Sequence, residues 1–426
     1  MTSSNCKIFH ADLWGIRKDK YYTLLEADLK GVPWKTLQPT KPFYMFIPQN
    51  EEQREVYEQG WKVSDIFAVQ STGVKTHRDH FVTDFDEKAL RKRIEAFRDL
   101  SIADDEIARK YALENTESWN LSKRRKSLAS DKGYAGAFTR LLYRPFDTLP
   151  YFHHDDAVDR PRHEVMYHML AGANHALIIP KQTKDDWAIL ATNIPAVHKA
   201  ATRYDTGYYF PLYLYPPAKE ENKPKSALFD EDDPFQGKKR IENLSLDFRA
   251  VVDKHYGHHY SPEEILGYIY AVLHSPTYRA KYQEFLKIDF PRIPFVDDRK
   301  TFEALSKLGW ELVQAHLLKG IPKEPKVDVT KGGFEVEKPA YDEKQQRLYI
   351  NKDQYFSPVP KAVWEFHLGG YQVLDKYLKS RKGRTLSLDE IENIQNIVKT
   401  LAFTILQMQK IDEGWKPRPA ILETVV

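Results

Sequence analysis

The chain has 426 residues, 42% hydrophobic and 13% aromatic, so it can bury a sizeable core and is expected to form two or three packed units. With 64 Lys and Arg against 61 Asp and Glu, the net charge of +3 neither demands nor excludes nucleic acid; the distribution of cations decides. The single cysteine, Cys6, excludes an internal disulfide, no apolar run reaches the roughly 18 residues of a membrane helix, and the polar start from Met1 to Asn5 lacks the apolar stretch of a secretory signal, so a cytoplasmic protein with no membrane partner is expected.

The stretch to about residue 50 is rich in aromatics and proline, including Trp14, Tyr21, Tyr22 and Trp34, and reads as a connector packed on something larger. A strand is expected at 63–69, a turn at Gly73, and a charged helical region over 86–130 that ends near Lys123-Arg124-Arg125-Lys126. From 138 to 215 the texture becomes β-rich. Strands are expected at 138–143, 176–179, 187–191 and 208–215, with a helix at 163–170 between the first two. The polar segment 216–240 reads as a solvated linker.

Helices dominate afterwards. Ser261-Pro262-Glu263-Glu264 has the spacing of a capping box with proline in the first turn, and Ile265, Tyr268, Ile269 and Val272 follow at helical intervals. Another helix is expected over 299–318, a β-hairpin at 335–350, and a last helix opened by Ser387-Leu388-Asp389-Glu390. Its apolar seam, Ile391, Ile394, Val398, Leu401, Ile405 and Met408, is shorter than three heptads and points to packing within the chain. The expected fold class is α+β: a connector with a helical and strand region (1–135), a mixed α/β unit (136–220), and a mainly helical region carrying the hairpin (241–426).

Motifs for chemistry are near misses. Gly73-Val74-Lys75-Thr76 lacks the glycine pattern of a phosphate loop, and a turn is the better reading. Asn193-Ile194-Pro195-Ala196 follows a strand but has no aromatic to stack a flipped base; Asp232-Asp233-Pro234-Phe235 has one but sits in the acidic loop. The histidine groups at 153–154 and 255–259 are neighbours in sequence, which does not make ligands converge on a metal. His77-Arg78-Asp79-His80 with Asp84 and Asp86 lacks the second acidic strand of a nuclease. No catalytic or metal residue is therefore expected.

The cations carry more. Lys379, Arg381, Lys382 and Arg384 follow a helix that begins near Gly370-Tyr371, where they suit phosphate contact; Arg140, Arg144, Arg160 and Arg162 flank β-rich, aromatic stretches. Trp364 and Tyr371 are expected in the helical core.

Several phrases together resemble the C-terminal specificity region of type ISP restriction–modification enzymes. They are Leu142-Tyr143-Arg144-Pro145-Phe146-Asp147, Arg160-Pro161-Arg162-His163-Glu164-Val165-Met166 and Phe210-Pro211-Leu212-Tyr213-Leu214-Tyr215-Pro216. Downstream follow Tyr268-Ile269-Tyr270-Ala271-Val272-Leu273-His274-Ser275-Pro276, Phe285-Leu286-Lys287-Ile288-Asp289-Phe290-Pro291-Arg292-Ile293-Pro294, and Gly369-Gly370-Tyr371-Gln372-Val373-Leu374 leading to Arg381-Lys382-Gly383-Arg384. They keep the family's order from about Asn5 to Asp412.

The resemblance implies a target-recognition module for duplex DNA. In the full enzymes a nuclease, an ATP-driven motor and an N6-adenine methyltransferase precede this region. Here no Walker motif and no Asn-Pro-Pro-Tyr is present, so S-adenosylmethionine, ATP and Mg are expected only on those other domains or a partner subunit, and none in this chain. Arg160, Arg162, Lys181, Gln182, Lys199 and Arg203 are the expected base-contact candidates, and Lys379, Arg381, Lys382 and Arg384 the phosphate contacts. The family does not assign the base-reading residues, which vary with the target. Two other readings remain open: a self-sufficient methyltransferase or nuclease with degenerate motifs, which S-adenosylmethionine binding would support, and an interaction or inhibitory protein using the same fold, which would bind a methyltransferase subunit but no duplex.

Overall fold

The computed structural model describes residues 6–217, 235 and 237–415. The chain divides into two compact units, Met1–Glu55 and Val56–Val426. In the first, a short antiparallel ladder pairs Ile8–His10 with Lys35–Leu37, and the helix Arg17–Glu26 buries none of its residues.

The second unit is organised by a four-stranded antiparallel sheet. Its strands are β1 (Ser71–Thr72), β4 (Ala176–Pro180), β5 (Leu190–Thr192) and β6 (Gly207–Pro211), in the spatial order β1-β6-β4-β5. Every residue of β4 is buried, because side chains on alternate faces enter two different cores. Ala176, Ile178, Leu190 and Tyr209 pack into one; Leu177, Ile179, Ala191 and Phe210 pack into the other.

The first core is covered by helices α1 (Glu87–Arg98) and α2 (Leu121–Ser130), by the hairpin of β2 (Phe138–Arg144) with β3 (Asp147–Phe152), and by α3 (His163–Leu170). The second is built on helices α4 (Leu246–Tyr256), α5 (Pro262–His274) and α6 (Arg299–His316). A small antiparallel sheet returns to the first core. Its strands β7 (Asp328–Val329), β8 (Ala340–Asp342), β9 (Arg347–Tyr349) and β10 (Tyr355–Ser357) lie in the order β7-β10-β9-β8. Helix α7 (Val373–Lys379) follows, and α8 (Leu388–Gly414) spans both cores, placing Ile394 and Val398 in the first and Ile411 in the second.

The α+β class holds, and both capping boxes form, Ser261 with Glu264 and Ser387 with Glu390. Four expectations change. Residues 63–69 do not form a strand: Val63–Ile66 is a helical turn, because Val63, Ile66 and Phe67 are all buried and their spacing of three and four suits a helical face. The boundary expected near 135 is crossed by the pairing of Ser71 with Tyr209 and Thr72 with Tyr208, so β1 belongs to the same sheet as β4, β5 and β6. The hairpin at 335–350 is the β8–β9 pair inside a four-stranded sheet. On α8 the buried stripe moves from Ile405 and Met408 to Thr404, Gln407 and Ile411, since a straight helix drifts away from a strict heptad seam. Most of the segment 216–240 and Asp232-Asp233-Pro234 lie outside the described residues.

Candidate nucleic-acid interface

Three distant segments meet beside β1. Val74 bridges Val197, and the Val74 backbone NH donates to Ala196 O at 2.9 Å while its carbonyl accepts from the His198 NH at 3.0 Å. Lys75 bridges Arg160, with NH-to-carbonyl distances of 3.1 and 2.9 Å in the two directions. Glycine is required just before this junction: a Cβ on Gly73 would lie 2.6 Å from His198 N and 2.7 Å from Val197 C, both backbone atoms. Gly73 is therefore a close-approach residue in an extended segment and not the centre of a simple turn.

The junction gathers like charges. Lys75 has its pKa pushed down by burial and by the charges of Arg160, Arg162 and Lys199. Arg160 is exposed and 3.5 Å from Asp159; Arg162, half-buried at the start of α3, is 3.7 Å from Glu164. Lys75 and Lys199 have no carboxylate within 4.0 Å among the described residues.

A second cationic group adjoins the first through residues 199–203. The Tyr371 hydroxyl lies 3.2 Å from Lys199 O and 3.1 Å from Thr202 O. Tyr371 is buried, as expected, and packs on this loop, and Trp364, stacked on Tyr341 at 5.5 Å, packs against the first core. Lys376 on α7 has its pKa lowered by burial, then by the charges of Arg144 and Arg203. Arg144 lies 4.1 Å from the Tyr143 ring centre and 5.5 Å from that of Tyr371. Between the groups is a cleft of about 370 Å³ whose walls include Asp79, Arg144, His198 and Lys199. Asp79 is engaged inside it, accepting from the Tyr143 hydroxyl at 2.8 Å and from Thr76.

Of the expected base-contact residues, Arg160, Arg162, Lys199 and Arg203 therefore join one positive surface. Lys181 and Gln182 do not: they are exposed after β4, and the Lys181 ammonium sits 5.9 Å from the Phe290 ring centre. Lys75, Arg144 and Lys376 complete the surface. Lys75 and Lys376 were not identified from sequence, because nothing local links positions 75, 160, 199, 203 and 376.

The expected phosphate contacts divide. Lys379 is exposed with its ammonium 2.8 Å from Asp375, and Lys382 is exposed. Arg384 is half-buried, 3.1 Å from Glu390 and 3.8 Å above the Phe85 ring. Arg381 is the correction: it is 3% exposed and held by both Asp147 and Glu390, so its charge is spent inside the fold. Arg140, Arg381 and Arg384 line a separate cleft of about 600 Å³.

The motif near misses have structural uses. The Thr192 hydroxyl donates to Ile194 O at 2.9 Å and accepts from the Ile194 NH at 3.2 Å, and Ala196 is buried. Asp86 caps α1, and Asp84 pairs with Arg93. Among the described residues no three His, Cys, Asp or Glu side chains are grouped to hold a metal ion, and no helix is long and apolar enough to cross a membrane.

Comparison with family models matches the Type ISP C-terminal specificity domain over residues 65–410. The chain belongs to this family. Three solved structures share the specificity-domain fold. The DrdV–DNA complex, determined by cryo-electron microscopy, has a TM-score of 0.73 and 18% identity, covering 98% of this chain and 44% of that one. A nuclease-deletion mutant of the Type ISP restriction–modification enzyme LlaGI, in complex with a DNA substrate mimic, gives 0.68 and 18%, covering 98% and 33%. The ATP-dependent Type ISP enzyme LlaBIII bound to DNA gives 0.66 and 17%, covering 91% and 26%. The specificity-domain chain thus spans less than half the length of each. No curated protein matches it.

Proposed function

We propose that this chain is a sequence-specific duplex DNA recognition module of a restriction–modification system. It positions an N6-adenine methyltransferase and a nuclease/translocase carried elsewhere, and needs no cofactor of its own. The observation that carries this reading is the continuous row of cations from Arg160 and Arg162 through Lys75 and Lys199 to Arg203, Arg144 and Lys376. Asp159 and Glu164 offset part of this charge, but Lys75 and Lys199 have no carboxylate within 4.0 Å among the described residues, and a duplex presents one phosphate charge per ~1.7 Å of axis. The row is fixed on strands and a clamped loop, as a reader needs. Membership of the specificity-domain family and the fold shared with three DNA-complexed structures support the same reading.

A protein partner is supported by the first unit. Thirteen of the twenty exposed large hydrophobics lie between Phe9 and Ile47, including Trp14 at 84% and Leu25 at 82% exposure. Concentrated apolar surface of this kind marks protein contacts.

The test is a fluorescence-anisotropy titration of the full chain with labelled duplex, alongside calorimetry with S-adenosylmethionine. Duplex binding that weakens steeply with salt, with no heat from the cofactor, is expected. Cofactor binding by this chain alone, or no affinity for any duplex, would overturn the reading.

A further inference from the structure

We infer that Arg203 is a specificity-determining residue that reads a guanine edge in the major groove; the inference rests on the duplex-recognition reading above. Among the arginines of the positive surface, Arg160 and Arg162 each have a carboxylate within 4 Å and Arg144 is half-buried between two tyrosines. Arg203 is exposed and has none within that distance among the described residues.

Its loop is clamped from several sides. The Thr202 hydroxyl donates to Asp205 O at 2.7 Å, and the Lys184 backbone NH donates to the Asp205 carboxylate at 2.7 Å. Gly370 lies so close that a Cβ there would sit 2.8 Å from the Arg203 Cβ. The guanidinium stands 5.0 Å from the ring centre of Tyr204, itself 59% exposed, an arrangement that restricts a long side chain before any partner arrives.

The neighbours supply the rest. Lys376 feels the charges of both Arg144 and Arg203, Lys199 stands four residues before Arg203, and the Asp185 carboxylate meets Gly370 beside the Arg203 Cβ; the lysines suit backbone phosphates, which set register without reading sequence. Lysine is a point charge, whereas a planar guanidinium donates two parallel hydrogen bonds, and guanine offers O6 and N7 side by side to that fork. An exposed, pre-positioned guanidinium with no carboxylate within 4 Å among the described residues, beside cations of the phosphate-contact type, is thus placed to discriminate.

The experiment is selection of a randomised duplex library on the full chain, repeated with R203K and R203A. The wild type should enrich a guanine at one position, and both variants should lose about 5- to 150-fold of that preference while keeping the others. R203K should also keep an unchanged thermal midpoint, which separates lost reading from lost folding. If R203K retains the guanine preference, or if the wild type binds duplex without enriching any guanine, the inference fails while duplex recognition stands. If R203A weakens every sequence equally and lowers the salt slope by about 0.9, Arg203 is a phosphate contact. If the wild type binds no duplex, the reading beneath the inference fails instead.

Discussion

The Arg381 guanidinium grips the Asp147 carboxylate with two hydrogen bonds, Nη2 to Oδ1 at 2.8 Å and Nη1 to Oδ2 at 3.2 Å, at a site where the two residues are 3% and 2% exposed. Nε of the same guanidinium donates to Glu390, which closes the capping box of α8, so one side chain ties β3 to the end of α7 and the start of α8. Burial works against the charged guanidinium, but the hydrogen bonds and charge of Asp147, with Glu390 behind, outweigh it and raise the pKa. Two phrases of the family, more than 230 residues apart, are therefore the two halves of one bond.

Breaking that pair should cost stability and leave DNA contacts alone. Asp147→Ala leaves a buried cation half-paired and should destabilise by about 3–5 kcal/mol. Urea unfolding measures this, and a double-mutant cycle with Arg381→Ala should show strong coupling. In R381K, provided it is folded, the salt slope of duplex binding should equal that of the wild type, unlike the slopes of surface-cation variants.

Lys75 and Lys199 should each behave as a single phosphate contact. Lys75→Ala or Lys199→Ala should reduce the slope of log K against log salt by about 0.9 and weaken all sequences alike. Titrations across salt concentrations check this; an unchanged slope in both variants would remove them from the interface.

Gly73→Ala joins fold to site. The new methyl would press on backbone atoms of Val197 and His198 at 2.7 and 2.6 Å, which cannot swing aside. Overpacking of this kind costs about 1–3 kcal/mol. It should also separate Lys75 from Lys199, so duplex affinity should fall further than in a variant of equal stability altered elsewhere.

Acid should unfold the chain through buried histidines. His316 accepts or shares hydrogen bonds with Tyr270 at 2.6 Å and Thr404 at 2.9 Å, and burial, reinforced by the charge of Arg279, pushes its pKa down to about 3. Burial likewise pushes His274 well below the ordinary value. Both are neutral in the fold and titrate near 6.5 once unfolded, so the unfolded chain binds more protons below that pH. Their stabilisation is complete above pH ~6.5 and is lost as pH falls toward the folded values, at about 1.4 kcal/mol per pH unit for each histidine. Thermal midpoints measured from pH 7 to 5 should fall, and the fall should be shallower in His316→Gln.

Local signals were legible in the sequence where one element contains its own rule. The residues of α3 repeat at helical spacing, and Ser261 and Ser387 stand three before a glutamate, so these elements lie where expected. β3 is not among the expected strands; its Pro150, a residue that breaks most strands, is tolerated in a two-stranded hairpin, opposite Arg140. The site was only half legible for a different reason. Arg381 and Lys382 are neighbours of the same charge, and only the arrival of Asp147 buries one and leaves the other in water. Lys75 read as part of a failed phosphate loop, and its significance lies in bridging Arg160 and approaching Lys199.

The most direct measurement is duplex affinity against salt for the full chain and for a variant carrying Lys75→Glu, Lys199→Glu and Arg203→Glu. The account predicts salt-dependent binding by the wild type and its near-complete loss in the folded variant, because three cations of one continuous surface become anions. A folded variant that binds duplex as tightly as the wild type, with the same salt slope, would contradict it.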